Sequence, residues 1–459
     1  MEKNQIVEVT IEDIGSNGEG IGKAGNFLLF VKDAVLGDRV KARVTRPKKN
    51  YAFARLEQVI EPSPYRVEPA CPYARPCGGC QLQALCYPRQ LKWKEQMVEG
   101  SLGHIGGFAP EEVKRVMEEP IPAERPLHYR NKMQFPIGQK NGHAIAGFYA
   151  GRTHSIIPCT ECALGKSVHS EALEILLRHM DRFHIPAYDE KTGKGLVRHL
   201  LVRTGEYSGQ VMTCIIINGK KIPKEEVLVK ELRRVPGMAS IVLNENMKDT
   251  NVILGGKFRT LWGEGYIMDQ LCGLSFAISP ASFYQVNSVM AEKLYGKALE
   301  YAGLSGTETV WDLYCGIGTI SLCLAKKARK VYGVEIVPQA VENAKENAER
   351  NGLSNAEFFC GKAEDVFAEQ MEQSGGANRP DVAVVDPPRK GCDGKLLETL
   401  LAMQPERIVY VSCNSATLAR DLKVLCAESY QLEKAVMVDQ FAQTVHVECV
   451  VLMSRVEGK

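Results

Sequence analysis

The residues whose types and spacing most plainly could do chemistry lie in Arg407-Ile-Val-Tyr-Val-Ser-Cys413-Asn-Ser-Ala-Thr-Leu-Ala-Arg-Asp421. An apolar, β-branched run of strand length ends in a cysteine, and the residues after it read as a turn into a helix. That places a thiol at the carboxyl end of a strand, the edge at which open parallel sheets carry out their chemistry. A thiol there could be a nucleophile. The same chain carries a nucleotide-type glycine loop from Asp312 to Thr319 and a rigid acidic turn, Asp386-Pro-Pro-Arg389. Taken alone, Cys413 also reads as a buried structural thiol, because free cysteine is among the most buried residue types.

A second group of thiols lies in Cys71-Pro-Tyr-Ala-Arg-Pro-Cys77-Gly-Gly-Cys80, where two cysteines bracket a Gly-Gly turn and a third precedes them. Such a loop can wrap a thiophilic metal centre, since glycines let backbone amides approach the sulfurs. A fourth ligand must come from elsewhere, and Cys86, Cys159 and Cys162 are the candidates. Spacing alone does not separate zinc from a four-iron cluster, because both accept four thiolates.

These groups must be held by several domains, because 459 residues exceed one hydrophobic core and a domain takes roughly 100 to 200. A composition 45% apolar and 24% charged is that of an ordinary globular chain. A net charge of only +2 means that a nucleic-acid partner would be met by local basic patches and not by a global field. No basic-then-apolar leader opens the sequence, and no apolar run approaches the ~18 residues of a membrane span, so a cytoplasmic protein without membrane association is expected. Fifteen cysteines in a reducing compartment argue for metal binding or reactivity over a disulfide framework.

Residues 4 to 60 read as short alternating strands over Ile6–Ile11, Phe27–Val31, Asp38–Val44 and Tyr51–Leu56, with turns marked by Gly15, Gly18, Gly20, Gly22, Gly25 and Gly37, as in a small barrel. Arg43, Arg46, Lys48 and Lys49 beside Tyr51 suit phosphate contacts next to a stacking platform. The string Gly-Glu-Gly-Ile-Gly with a later Leu-Gly-Asp resembles the TRAM domain, an RNA-binding barrel. Pro62-Ser-Pro64 closes the module. Helices are expected over Tyr87–Leu102 and Ser167–Phe183, the second inside a mixed α and β region, and His128-Tyr-Arg-Asn-Lys132 is a further basic and aromatic cluster. From about residue 271 the pattern becomes βαβ. The loop Asp312-x-x-Cys-Gly316-x-Gly318 follows one strand, and Glu335 ends the next about twenty positions on, where a carboxylate can hold ribose hydroxyls. The loop resembles that of Rossmann-type S-adenosylmethionine methyltransferases. Amino methyltransferases of that kind carry an aromatic after Asp-Pro-Pro; Arg389 stands there, which disfavours chemistry on an exocyclic nitrogen.

Four strings agree on one resemblance: Phe283-Tyr-Gln285-Val-Asn287, Asp386-Pro-Pro-Arg-Lys-Gly391, Ser412-Cys413-Asn414 and His446-Val-Glu448. Together they resemble the RNA 5-methyluridine methyltransferase family. The TRAM-like start and the cysteine loop bring the likeness nearest to bacterial 23S rRNA uracil-5 methyltransferases that carry a [4Fe-4S] cluster. The resemblance implies a multidomain α/β chain: an OB-like TRAM barrel over 1–60, a central α+β domain with the iron-sulfur loop over 61–270, and a Rossmann-like class I methyltransferase domain over 271–459. Part of 88–120 is expected to pack against that last domain. It implies Cys413 as nucleophile and Glu448 as base, Gln285, Tyr314, Glu335 and Asp386 at S-adenosylmethionine, and Phe283 stacked on the target uracil. It implies Cys71, Cys77, Cys80 and Cys162 as cluster ligands, with Cys159 the alternative fourth. One departure is Ser415, where the family often has proline after Ser-Cys-Asn. The expected partner is looped or single-stranded 23S rRNA and the expected state a monomer. The same reaction on tRNA, or a non-catalytic iron-sulfur RNA-binding protein, are the competing readings.

Overall fold

The structure, a computed structural model, describes residues 1–151 and 153–456, with the backbone only at position 428. Positions 457–459 of the expected methyltransferase domain therefore lie outside the described residues. Strands β1 (Ile6–Ile14), β2 (Gly20–Ala24), β3 (Phe27–Lys32), β4 (Arg39–Pro47) and β5 (Tyr51–Glu61) close into a barrel in the order β1-β2-β3-β5-β4. Their alternation turns Val9, Ile11, Leu29, Val31, Val40, Ala42 and Val44 inward. One correction concerns Gly20 and Gly22, expected in turns and found inside β2. A Cβ on Gly22 would lie 2.3 Å from the Thr10 carbonyl oxygen, and one on Gly20 2.8 Å from the Ile11 side chain. Glycine is here the residue that lets two strands approach, not the residue that turns the chain.

After α1 (Tyr87–Ser101), which runs on as a wide turn over Leu102–Gly106, and α2 (Pro110–Val116), comes a seven-stranded sheet. Its elements are β6 (Lys132–Lys140), β7 (His143–Tyr149), β8 (Ile156–Pro158), α3 (Ser167–Arg182), β9 (Val197–Thr204), β10 (Val211–Ile217), α4 (Glu225–Leu232), β11 (Met238–Glu245) and β12 (Lys257–Gly263), in the order β12-β11-β10-β9-β6-β7-β8. Every residue of β9 and β10 is buried. One face packs on α3 and α4 and the other on the C-terminal βαβ region, so these strands are covered twice and show no polar alternation.

A hairpin of β13 (Ile267–Leu271) and β14 (Leu274–Ile278) follows, so the expected division at 270/271 falls inside one element pair. Then come α5 (Ser288–Ala302), β15 (Thr309–Asp312), α6 (Thr319–Ala325), β16 (Lys330–Glu335), α7 (Pro338–Arg350), β17 (Ala356–Cys360), α8 (Ala363–Ser374), β18 (Val382–Val385), α9 (Gly394–Met403), β19 (Arg407–Ser412), α10 (Ser415–Glu428), β20 (Tyr430–Val438) and β21 (Glu448–Arg455). The sheet order is β17-β16-β15-β18-β19-β21-β20, parallel through β19 and antiparallel at β21 and β20. Order reverses between β15 and β18, the crevice where such sheets bind ligands. The outer edge at β20 is capped by the chain after α2: Glu118 and Ile121 amides donate to Ala435 and Met437 carbonyls at 2.8 Å each. Val98, Leu102, Val113 and Val116 also pack under this sheet.

Candidate active site

Cys413 follows β19 directly and Glu448 opens β21. In the antiparallel register Ser412 pairs with Cys449, so the next position out along each strand sets Cys413 opposite Glu448. The thiol is half-buried and the carboxyl buried. Burial, with Glu448 and Asp386 alongside, pushes the Cys413 thiol up to about 11, and Arg389 opposes the rise. Burial beside Asp386 likewise holds Glu448 well above the usual carboxylate range, again against Arg389. In the free site the Cys413 thiol therefore keeps its proton at neutral pH.

The turn after the thiol is fixed by Asn414. As the N-cap of α10 it accepts the Ala416 amide at 3.0 Å and the Thr417 amide at 3.3 Å, and its Nδ2 donates to the Arg389 carbonyl at 3.2 Å. A capping asparagine contributes about 1 kcal/mol, and here it also joins the Cys413 turn to the Asp386–Gly391 loop. Ser415, the departure from the family pattern, fills the first helical position, where its Oγ lies 2.9 Å from the Ser101 hydroxyl of α1. The loop is secured from below by buried Asp421, which accepts the Tyr410 hydroxyl at 2.6 Å and the Cys392 amide at 2.8 Å. Arg389 points outward, 3.3 Å from His446 Nε2. Burial and the cations Arg389, Lys94 and Arg130 lower His446 to about 4, so that ring stays neutral.

The crevice beside this pair has the features of a cofactor cradle. Gly316 and Gly318 have φ of 54° and 84°, in the left-handed region. Space is open above Gly316, where a Cβ would meet nothing within 4 Å. Glu335 accepts the Gly316 amide at 3.2 Å and the Val337 amide at 2.9 Å. Asp312 is fully buried, accepts the Ser321 hydroxyl at 2.6 Å and is raised to about 6 by burial. Asp386 is raised to about 7 by burial with Asp312 nearby. Tyr314, half-buried, packs toward Cys392, and burial raises its hydroxyl. These donors fit a cationic sulfonium nucleoside: carboxylates sit at the strand ends, and the glycine loop leaves room for the ligand.

Gln285 is buried and its Oε1 accepts from Gln440 Nε2 at 3.3 Å. Phe283 is 69% exposed, an open ring two residues from it. The segment carrying both is clamped by residues that sequence reading did not assign. Asn131 Nδ2 donates to the Gln285 carbonyl at 2.8 Å, and Arg203 to the Pro280 carbonyl at 3.4 Å and to that of Ser282. The strap leading into Glu448 is held in the same way. Lys94 and Asp439, both fully buried, pair at 2.6 Å, and Tyr87 donates to the second Asp439 oxygen at 2.8 Å. These partners lie up to 352 positions apart, and no local pattern signals them.

Cys71, Cys77, Cys80, Cys159 and Cys162 line one cavity of about 330 Å³, together with Arg130, Lys132 and Val286. Among the described residues no three His, Cys, Asp or Glu close on a single ion's position. The thiols are spread over a wall. Burial pushes both the Cys162 and the Cys159 thiol up, against the Leu164 and Gly165 amides at Cys162, and Cys159 donates its proton to the Glu161 carbonyl. Cys86 sits before α1 and does not line the cavity. In the barrel, Arg43 is paired with Glu57 at 2.8 Å, which removes it from the expected basic patch; Arg46, Lys48 and Lys49 stay exposed. His128-Tyr-Arg-Asn-Lys132 is a joint more than a surface turn, since Tyr129 is buried and donates to the Ala442 carbonyl at 3.1 Å. No helix among the described residues is long and apolar enough to cross a membrane.

Residues 272–456 match the family described as tRNA (uracil-5-)-methyltransferase, and residues 1–56 match the TRAM domain. An uncharacterized RNA methyltransferase of Clostridium tetani is 46% identical over 99% of this chain and 97% of its own length. Another, of Halalkalibacterium halodurans, is 45% identical over 98% and 97%. Among solved structures, the Pyrococcus abyssi tRNA (uracil-54, C5)-methyltransferase in complex with S-adenosyl-L-homocysteine is 29% identical. It covers 97% of this chain and 99% of its own, with a TM-score of 0.77.

Proposed function

The chain belongs to the RNA uracil-5-methyltransferase family, and on that premise we propose that it methylates C5 of one uridine class in 23S rRNA through a covalent adduct of Cys413. The observation that carries the chemistry is the register of β19 and β21, which puts a thiol opposite a buried carboxyl at the carboxyl edge of the sheet. Uracil C5 is a poor nucleophile. Addition of the Cys413 thiolate to C6 forms the S–C6 bond and moves the C5–C6 π electrons toward O4, so that C5 becomes nucleophilic. S-adenosylmethionine, when bound, would supply the electrophilic methyl group to C5 and leave as neutral S-adenosylhomocysteine. Glu448 then removes the C5 proton, the C5–C6 double bond re-forms, and the S–C6 electron pair returns to Cys413. Gln285, Tyr314, Glu335 and Asp386 hold the cofactor, and Phe283 stacks on the target base, which must leave any helix it occupies at a cost of a few kcal/mol. Single-stranded or looped RNA is accordingly the substrate form.

Cys71, Cys77, Cys80 and Cys162 hold a [4Fe-4S] cluster in this reading, with Cys159, which lines the same cavity, the alternative fourth ligand. The thiols spread over a cavity wall suit a polynuclear centre better than a single ion. The chain is proposed to work as a monomer, with the barrel, the central region and the methyltransferase region as its units. A second reading, tRNA as substrate, is favoured by the archaeal neighbour, whose own substrate is tRNA and whose likeness extends over the whole chain. Mapping 5-methyluridine in rRNA and tRNA from cells with and without this protein separates the two. Loss confined to 23S rRNA supports the first reading, and loss confined to tRNA replaces it with the second.

A further inference from the structure

Lys132 and Arg203 stand directly opposite each other in the β6–β9 register, so both side chains leave the sheet on one face. Like charges in that position repel. Arg203 is buried and Lys132 half-buried, yet among the described residues no carboxylate pairs with either of them or with Arg130. Glu161, on the same cavity wall, is beyond ion-pair distance of all three. Burying cations without counter-charge is costly. The cavity that Arg130 and Lys132 line is also lined by five thiols. Protonated thiols would leave the three cations uncompensated, whereas four metal-bound thiolates outweigh the charge of the metal core they enclose.

Building on the cluster reading above, we propose that Arg130 and Lys132, with Arg203 behind Lys132, supply the positive charge around an anionic thiolate-ligated cluster in this cavity, and that Lys132, on its wall, raises the cluster's reduction potential. Reduction brings in one electron and makes or breaks no bond to protein, so the centre becomes more negative by one charge. A fixed cation beside it stabilises the reduced form more than the oxidised one. Arg203 links this charge to the site, because its guanidinium holds the Pro280 and Ser282 carbonyls just before Phe283.

The test is a redox titration of the full-length protein purified anaerobically, with dithionite as the one-electron reductant, followed by bleaching of the visible absorbance and by electron paramagnetic resonance. Lys132→Met keeps the apolar stem and removes the charge. At a fixed ambient potential its ratio of reduced to oxidised cluster is expected to fall about tenfold, ~59 mV for one electron. Arg130→Gln is expected to shift it in the same direction. A Lys132→Met protein that loses its iron with an unchanged circular dichroism spectrum also supports the counter-charge role. Wild-type potentials in both variants overturn it while leaving the cluster reading intact. Wild-type protein with zinc only, or without iron and sulfide, overturns the cluster reading and this inference with it.

Discussion

Cys413, Glu448 and Asp386 form a like-charge group with one nearby cation, Arg389, and this sets how the free site titrates. Asp386 is raised to about 7, so near neutrality it is part protonated. A sulfonium ligand favours its charged form. Binding of S-adenosylmethionine should therefore strengthen as pH rises from 6 to 8 and level off above the pKa of the free site, because below it a proton must first be released. S-adenosylhomocysteine, whose sulfur is neutral, should respond less. Calorimetry of both ligands at pH 6, 7 and 8 checks this, and equal pH slopes would remove Asp386 from the cofactor site. Asn414→Ala should cost about 1 kcal/mol of stability, as for a lost N-cap. It should also lower turnover, since the side chain ties the thiol turn to the Arg389 carbonyl. Thermal melts and initial rates measure the two separately. The strand-end positions of Cys413 and Glu448 were legible in the sequence because each lies in a distinctive string. Arg203 and Asn131 were not, because their chemistry consists of bonds to carbonyls 77 and 154 positions away.

At the scale of elements, the strap from Asp439 to His446 carries Glu448's strand to its place, and its anchor is the buried Lys94–Asp439 pair on α1. Removing one partner of such a pair leaves a buried charge and costs about 3–5 kcal/mol, whereas replacing both with apolar residues restores much of the loss. Lys94→Met should follow the first course and Lys94→Met with Asp439→Leu the second, by denaturant unfolding. Equal stabilities for the two would mean that the pair is not what holds the strap. The barrel hairpin makes a different test. Each neutralised single-strand phosphate contributes roughly 0.7 to the slope of log affinity against log salt. Replacing Arg46, Lys48 and Lys49 by alanine should flatten that slope by about 2. Arg43→Ala should leave it unchanged, because Arg43 is occupied by Glu57. Strand existence was readable from alternation in this barrel, but β2 was missed: in Gly20-Ile-Gly22 the glycines serve contact with β1, and sequence alone does not distinguish such a glycine from a turn.

Across the whole molecule, one core runs from the central sheet, through the β13–β14 hairpin, into α5, α6 and the methyltransferase sheet. The order of βαβ units in the last region could be read from the sequence. The family resemblance implied that part of 88–120 packs against that region, but the edge pairing of Met117 and Ile121 with β20, over 300 residues later, could not be read from the residues. This continuity brings the clamp on Phe283 and the strand that carries Cys413 into one body. The central claim, that Cys413 adds covalently to the target uracil and Glu448 completes the cycle, is tested most directly by the mass of the protein after reaction. Full-length wild type, Cys413→Ala and Glu448→Gln are incubated with S-adenosylmethionine and substrate RNA bearing 5-fluorouridine at the target, then run on denaturing gels. Wild type should migrate as a stable protein–RNA adduct, because fluorine cannot leave as a cation. Glu448→Gln should give the adduct even with ordinary uridine, and Cys413→Ala should give none with either RNA. An adduct or continued methylation in Cys413→Ala would contradict the account and assign the nucleophile to another residue.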